Sequence, residues 1–237
     1  MATNPNKIWK ILKEKMSHTC DNEICWINKT IPEKSKIFKK KIFAPEMPDK
    51  WKVNINEWLN STDILQIMKQ YEETYPYFKF YGPSPIDFNT ITYNNICVWP
   101  EICKFSVKKC LKKKNTKIGF IFNTDTHNQS GSHWVSLFLD LDKKFIFFFD
   151  STGNTQQKEI TTLINKIVEQ CKKENIKLHV DNNDDIEHQK QNTECGMYSL
   201  YLIITLLLNK HNFRDFKKLN FSDKFMEKYR HIYFNIF

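Results

Sequence analysis

The stretch HWVSLFLDLDKKFIFFFD, residues 133–150, constrains the fold of this chain more than any other. Aromatic and β-branched residues fill two runs, His133–Asp142 and Lys143–Asp150, which meet at Asp142-Lys143-Lys144. Such runs read as strands, and so short a break leaves room only for a hairpin. Antiparallel pairing then lays the first residue of one strand beside the last of the other. His133 and Asp150 are thereby expected at one edge of a sheet.

Further elements surround this hairpin. KIGFIF (117–122) and IKLHV (176–180) read as strands. In the segment 54–76, Asn60 or Ser61 is a helix cap, Asp63 sits in the first turn, and Ile64, Ile67, Met68 and Tyr71 form one face. The segment 155–175 is an amphipathic helix through Ile160, Leu163, Ile164 and Ile167. Cys195–Lys210 is an apolar helix, and the last seventeen residues are a helix started by Ser222 or Asp223. Pro83 and Pro85 enforce extended chain in YGPSPIDF. Residues 94–116 give mixed signals, with KKCLKKKNT a basic loop or helix end. Residues 1–45 differ from the rest: Ile8, Ile11, Leu12 and Met16 mark a small helix, followed by a lysine-rich connector. The pattern implies an α+β fold whose sheet is largely antiparallel.

Composition removes several function classes. With 237 residues, 41% of them apolar and 19 of them phenylalanine, the chain holds enough core for one domain plus an appendage. It has five glycines and neither GxGxxG nor GxxxxGK[ST], which excludes a glycine-rich nucleotide cradle. Seven cysteines without regular spacing, and no charged-then-apolar leader, imply free thiols in a reducing compartment. His18, Cys20 and Cys25 lack a fourth ligand at a recognised spacing, so the cysteines there read as ordinary thiols and no metal is expected. The longest apolar run, Leu200–Leu208, is too short for a bilayer. A net charge of +9 suits an acidic partner or a solvated lysine surface. Arg214 and Arg230 are the only arginines, which argues against base reading and leaves loose phosphate contact through lysine.

Cys195 opens its apolar helix behind a polar run. It is either a small buried hydrophobe or a thiol whose anion the helix N-terminus stabilises. His133 is either a strand histidine bonded to backbone or a base, and Asp150 either caps the turn DSTGN or orients that base. Gln189, six positions before Cys195, and the Cys195 N–H supply donors for an oxyanion, with Gln191 a second glutamine in the same loop.

The segments GSHWVSLFLDLDKKFIFFFDSTGN and QKQNTECGMYSLYL resemble the catalytic core of the SUMO-specific cysteine proteases and the adenovirus endopeptidase. That clan uses the order His-Trp, Asp or Asn, Gln, Cys. EWLNSTDIL is similar to the WLND helix start of the SUMO-protease fold. NTD…G.HW, STGN and HQ….TECG.YSL resemble the polyprotein protease of African swine fever virus within the same clan, although Asp150 replaces the asparagine expected there. The resemblance implies a papain-like α+β core of the SUMO-protease type over residues 46–237, behind a helical basic arm at 1–45. It makes Cys195 the nucleophile, His133 the base, Asp150 its orienter and Gln189 the oxyanion donor. Trp134 becomes the lid of a narrow tunnel that admits a Gly-Gly substrate, and no cofactor is needed. The implied function is cleavage of viral structural polyproteins at Gly-Gly-X during virion maturation, in the virion and host cytoplasm. Its rivals are removal of SUMO or ubiquitin-like proteins, and a non-enzymatic lysine-rich protein that contacts nucleic acid.

Overall fold

The computed structural model describes residues 5–20, 23–33 and 44–235. The connector lysines Lys34, Lys36, Lys39, Lys40 and Lys41 lie outside those residues.

Five strands lie side by side in sequence order: β1 (Phe78–Pro85), β2 (Lys117–Asn123), β3 (Trp134–Asp140), β4 (Phe145–Phe149) and β5 (His179–Asn182). The hairpin is β3–β4, in antiparallel register with Ser136 opposite Phe149. Its turn is completed by Lys144 at φ 58°, while Asp140 Oδ1 accepts from the Lys143 N–H at 2.8 Å. The pairing of β2 with β3 is also antiparallel, but β1–β2 and β4–β5 are parallel. The largely antiparallel sheet read from the strand pattern is therefore corrected to a mixed one, the central mixed sheet that the SUMO-protease resemblance implies. Each parallel pair is joined by a long crossover that carries helices, as parallel strands require.

β1 is the extended chain that Pro83 and Pro85 enforce, paired on one side only. Proline removes a ladder donor, so such a strand belongs at the sheet edge. Gly82, at φ +125°, lets this bulged strand pass close to β2, because a Cβ there would lie 2.6 Å from the Ile121 carbonyl.

Among the described residues the α-helices are α1 (Pro5–Met16), α2 (Glu23–Thr30), α3 (Ser61–Thr74), α4 (Pro100–Cys103), α5 (Val107–Lys112), α6 (Lys158–Lys173), α7 (Cys195–Leu207) and α8 (Asp223–Tyr233). α3 starts as its sequence requires: Asn60 caps it and Asp63 returns a bond to the Asn60 N–H, a capping box. α7, α3 and α8 cover one face of the sheet around Ile121, Phe138, Phe147 and Phe149. α4, α5 and α6 cover the other around Phe120, Leu137, Leu139 and Phe148. With both faces covered, the three central strands β2, β3 and β4 are buried almost throughout rather than alternating.

The expectation of free thiols is corrected at four of the seven cysteines. Cys20 bonds Cys25 and Cys97 bonds Cys103, with Cα atoms 6.1 and 6.3 Å apart. Cα separations of this size are within bridging reach, and that proximity is invisible in the spacing alone. Cys110, Cys171 and Cys195 are free and buried.

Candidate active site

The antiparallel register carries the start of β3 to the end of β4. His133, one residue before β3, meets Asp150, one residue after β4: His133 Nε2–H donates to Asp150 Oδ1 at 2.7 Å. Asp150 is buried at 1% exposure, and its backbone is gripped on both sides by Asn183. The Asn183 Oδ1 accepts from the Asp150 N–H at 2.9 Å, and its Nδ2 donates to the Asp150 carbonyl at 2.7 Å. The Thr152 N–H and hydroxyl also donate to Asp150 Oδ1, at 2.9 and 2.7 Å. Asp150 therefore caps its turn and binds the imidazole at once, so the two sequence readings hold together.

With Nε2 committed to Asp150, the other ring nitrogen is left for the Cys195 thiol, whose proximity helps hold a proton on the imidazole. Burial alone would lower the His133 pKa, but bonds and charge interactions with Asp150 and Cys195 outweigh it and raise it to about 10. Burial likewise pushes Asp150 upward, and the His133 and Thr152 contacts reverse this, leaving it below the ordinary carboxylate value. Cys195 is the first residue of α7 and 1% exposed. The N–H groups of that first turn have no intrahelical partner and carry the positive end of the helix dipole.

Gln189 and Gln191 stand in different surroundings. Gln189 is 4% exposed, while Gln191 is exposed. The Ser151 hydroxyl donates to Gln189 Oε1 at 2.7 Å, and the Ser151 carbonyl accepts from both the His188 and Gln189 N–H groups. Oε1 is thus held inward, and Nε2 donates one of its hydrogens to the Gln191 carbonyl. Among the described residues, Nε2 has no second acceptor. Just beyond, Asp223 Oδ2 accepts from the Lys190 and Gln191 N–H groups at 2.9 and 3.0 Å, tying the loop to the start of α8.

Trp134 is 6% exposed, and its Nε1 donates to the Leu59 carbonyl at 3.0 Å. Leu59, Cys195 and Trp134 share one core cluster. Trp134 also borders a cleft of about 840 Å³ whose walls include Trp58, Asn60, Pro83, Asn123, Gly131 and Trp99. Gly196, next to Cys195, allows this closeness: a Cβ there would lie 3.1 Å from Leu59 Cβ and 3.4 Å from Trp134 Cδ1.

His133, Asp150, Cys195, Gln189 and Trp134 thus lie at one end of the sheet, where Trp134 lines the cleft. Residues 57–236 match the Ulp1 protease family, C-terminal catalytic domain. The chain belongs to the Ulp1 family of cysteine proteases. A thiol protease of Acanthamoeba polyphaga mimivirus is 33% identical over 165 residues, 70% of this chain and 51% of the relative. The chain thus spans about half the length of that relative. A SUMO-1 cysteine protease of African swine fever virus is 26% identical over 242 residues, 97% of this chain and 88% of the relative. The crystal structure of the African swine fever virus protease has the same fold, with a TM-score of 0.72 at 23% identity over 98% of this chain and 89% of that one. The SUMO-protease-type α+β fold expected from the motifs is the fold of this Ulp1-family chain.

Four site residues escaped the reading of the sequence: Asn183, Ser151, Asp223 and Trp58. Asn183 sits in DNNDD, where a polar loop offers several equivalent amides. Ser151 follows Asp150 directly, and a hydroxyl beside a candidate catalytic acid is a usable signal. Trp58 stands in EWLN, two residues before a helix cap, where an aromatic has no role in the helix itself.

Proposed function

We propose that this Ulp1-family chain is a thiol-dependent endopeptidase that cleaves viral structural polyproteins at Gly-Gly-X during virion maturation. The observation that carries the reading is the His133 ring, bonded to Asp150 and close enough to Cys195 for both to raise its pKa, next to the Trp134 that lines a cleft. The Cys195 thiolate attacks the scissile carbonyl, the Cys195 N–H and Gln189 Nε2 stabilise the oxyanion, and His133 delivers a proton to the leaving amine. Water then attacks the thioester, with His133 taking its proton and Cys195 leaving. Asp150 holds the ring through Nε2 in both halves. Leu59 and Trp134 line the cleft and also pack against Gly196, next to Cys195, and an indole so placed favours residues without side chains next to the scissile bond. The relatives named as viral proteases support a structural polyprotein as substrate and the virion and host cytoplasm as the place of action.

Deconjugation of SUMO or ubiquitin-like proteins is the second reading, favoured by the Saccharomyces cerevisiae ubiquitin-like-specific protease 1. That relative is 31% identical over 152 residues, 60% of this chain and 22% of its own length. Peptides with Gly-Gly before a variable residue, assayed beside SUMO and ubiquitin fusions, separate the two. The polyprotein reading expects cleavage of short peptides with kcat/KM close to that for any fusion. Cleavage of fusions alone would replace it with the second. The exposed Lys108, Lys109, Lys112, Lys113 and Lys114, at and beyond α5, support loose contact with nucleic acid as an accessory property. DNA retention that falls steeply with salt is its expected signature, and none at low salt returns these lysines to a solvated surface.

A further inference from the structure

Arg230, one of only two arginines in the chain, is 1% exposed and lies in α8, far in sequence from His133, Asp150 and Cys195. Its guanidinium reaches two separate walls of the site. On one side, Nη2 donates to Glu194 Oε1 at 2.6 Å, Nε to both Glu194 oxygens at 3.1 Å, and Nη2 to the Thr193 carbonyl at 3.2 Å. On the other, Nη1 donates to the Glu57 carbonyl at 2.9 Å. That carbonyl also accepts from Trp51 Nε1 at 3.0 Å, and the guanidinium lies 4.4 Å from the Trp51 ring centroid. Thr193 and Glu194 lead directly into Cys195, while Glu57 leads directly into Trp58 and Leu59 of the cleft.

Replacing a buried ion pair with well-packed apolar groups is often neutral or stabilising, so stability alone is a weak reason for this arrangement. What a planar fork supplies is geometry: several acceptors held at fixed angles by one rigid group. Lysine, abundant elsewhere in this chain, presents a single ammonium and cannot span Glu57, Thr193 and Glu194 together.

We infer that Arg230 is a positioning residue of the protease, keeping the backbone that presents Cys195 in register with the Trp58–Leu59 wall of the substrate cleft. The inference rests on the endopeptidase reading above. Peptide cleavage needs both walls in register around one carbonyl, and misplacement by about 1 Å costs on the order of a hundredfold. Alkylation of Cys195 by iodoacetamide needs the thiol and His133 but neither the cleft nor the oxyanion donors.

The test compares Arg230→Lys and Glu194→Gln with wild type, using only protein with a native near-ultraviolet spectrum and assaying well below its melting temperature. Arg230→Lys is expected to lose on the order of tenfold to a hundredfold in kcat/KM for a Gly-Gly peptide, with KM rising and kcat falling. Its iodoacetamide rate should stay close to wild type. Glu194→Gln leaves one oxygen for the fork and should show the same split at smaller amplitude; it carries the test alone if Arg230→Lys does not fold. Unchanged peptide turnover in the folded variants, or turnover and alkylation falling in proportion, overturns the role. Wild type inert toward every peptide would count against the proposed function and this role together. An active wild type with unaffected variants would count against Arg230 alone.

Discussion

The His133 imidazole and the Asp150 carboxylate stand 2.7 Å apart, with the carboxylate at 1% exposure and Cys195 close enough to add to the shift of the imidazole. Each partner shifts the other toward its charged form, so the pair is an imidazolium and a carboxylate across the neutral range. The proton that cysteine proteolysis must deliver to a leaving amine is therefore already on the ring. The same pairing links the site to the stability of the fold.

The folded pKa of His133, about 10, lies above its ordinary 6.5, so the stabilisation from this proton is complete below 6.5 and is lost as pH rises through 10. Asp150 is depressed from 3.8, so its contribution is present above 3.8 and is lost as pH falls through the lowered value. The melting-temperature deficit of Asp150→Asn should then be largest between these limits, from pH 3.8 to 6.5, and shrink toward pH 10. A deficit that is flat or grows across that alkaline range would mean that His133 is not held charged by Asp150.

Asp150→Asn and Asp150→Ala should separate geometry from charge. Asparagine keeps an acceptor for His133 Nε2–H, and the Asn183 bonds to the Asp150 backbone are untouched by either change. Reduced but measurable peptide cleavage is expected for Asn, and a loss of several orders of magnitude for Ala, of the kind seen when members of a catalytic unit are removed. Equal inactivity would put the charge first, and full activity of both would leave Asp150 as a turn cap only.

Gln189→Ala should cost roughly a hundred- to a thousandfold in kcat, the usual effect of losing one oxyanion donor. Gln191→Ala should have a small effect, because that side chain is exposed and the loop uses only its backbone. Steady-state kinetics on one peptide decides, and the reverse ranking would move the oxyanion role to Gln191.

Much of this arrangement is legible in the chain because it is local. A single hairpin, read from aromatic runs, brings His133 to Asp150, and an apolar run behind a polar loop marks the helix that Cys195 opens. That helix ends at Leu207 rather than Lys210, since Asn209 turns to φ 54°. What stayed hidden depends on long closures: Asn183 meets Asp150 across 33 residues, Ser151 meets Gln189 across 38, and Arg230 meets Glu194 across 36. No periodicity reports such pairs. Arg230 did leave one trace, as an arginine kept in a chain that otherwise uses lysine. β1 was masked by its prolines, which permit an edge strand but signal only extended chain.

Gly196→Ala tests how tightly the cleft closes beside Cys195. The new methyl would sit 3.1 Å from Leu59 Cβ, which must give by a few tenths of an ångström, and in ordinary contact with Trp134 Cδ1 at 3.4 Å. Overpacking of this kind typically costs about 1–3 kcal/mol. A lower melting temperature and a raised KM for Gly-Gly peptides are expected, and an unchanged KM would remove Leu59 and Trp134 from substrate contact.

The central claim is that the Cys195 thiol, activated by His133, is the nucleophile. The most direct measurement treats the folded protein with a Gly-Gly peptide vinyl sulfone and maps the adduct by mass spectrometry among the free thiols Cys110, Cys171 and Cys195. The account predicts one adduct, on Cys195, forming in step with loss of peptide cleavage, and neither adduct nor cleavage in Cys195→Ala. Cleavage retained by Cys195→Ala, or inactivation with the adduct on another residue, would contradict it.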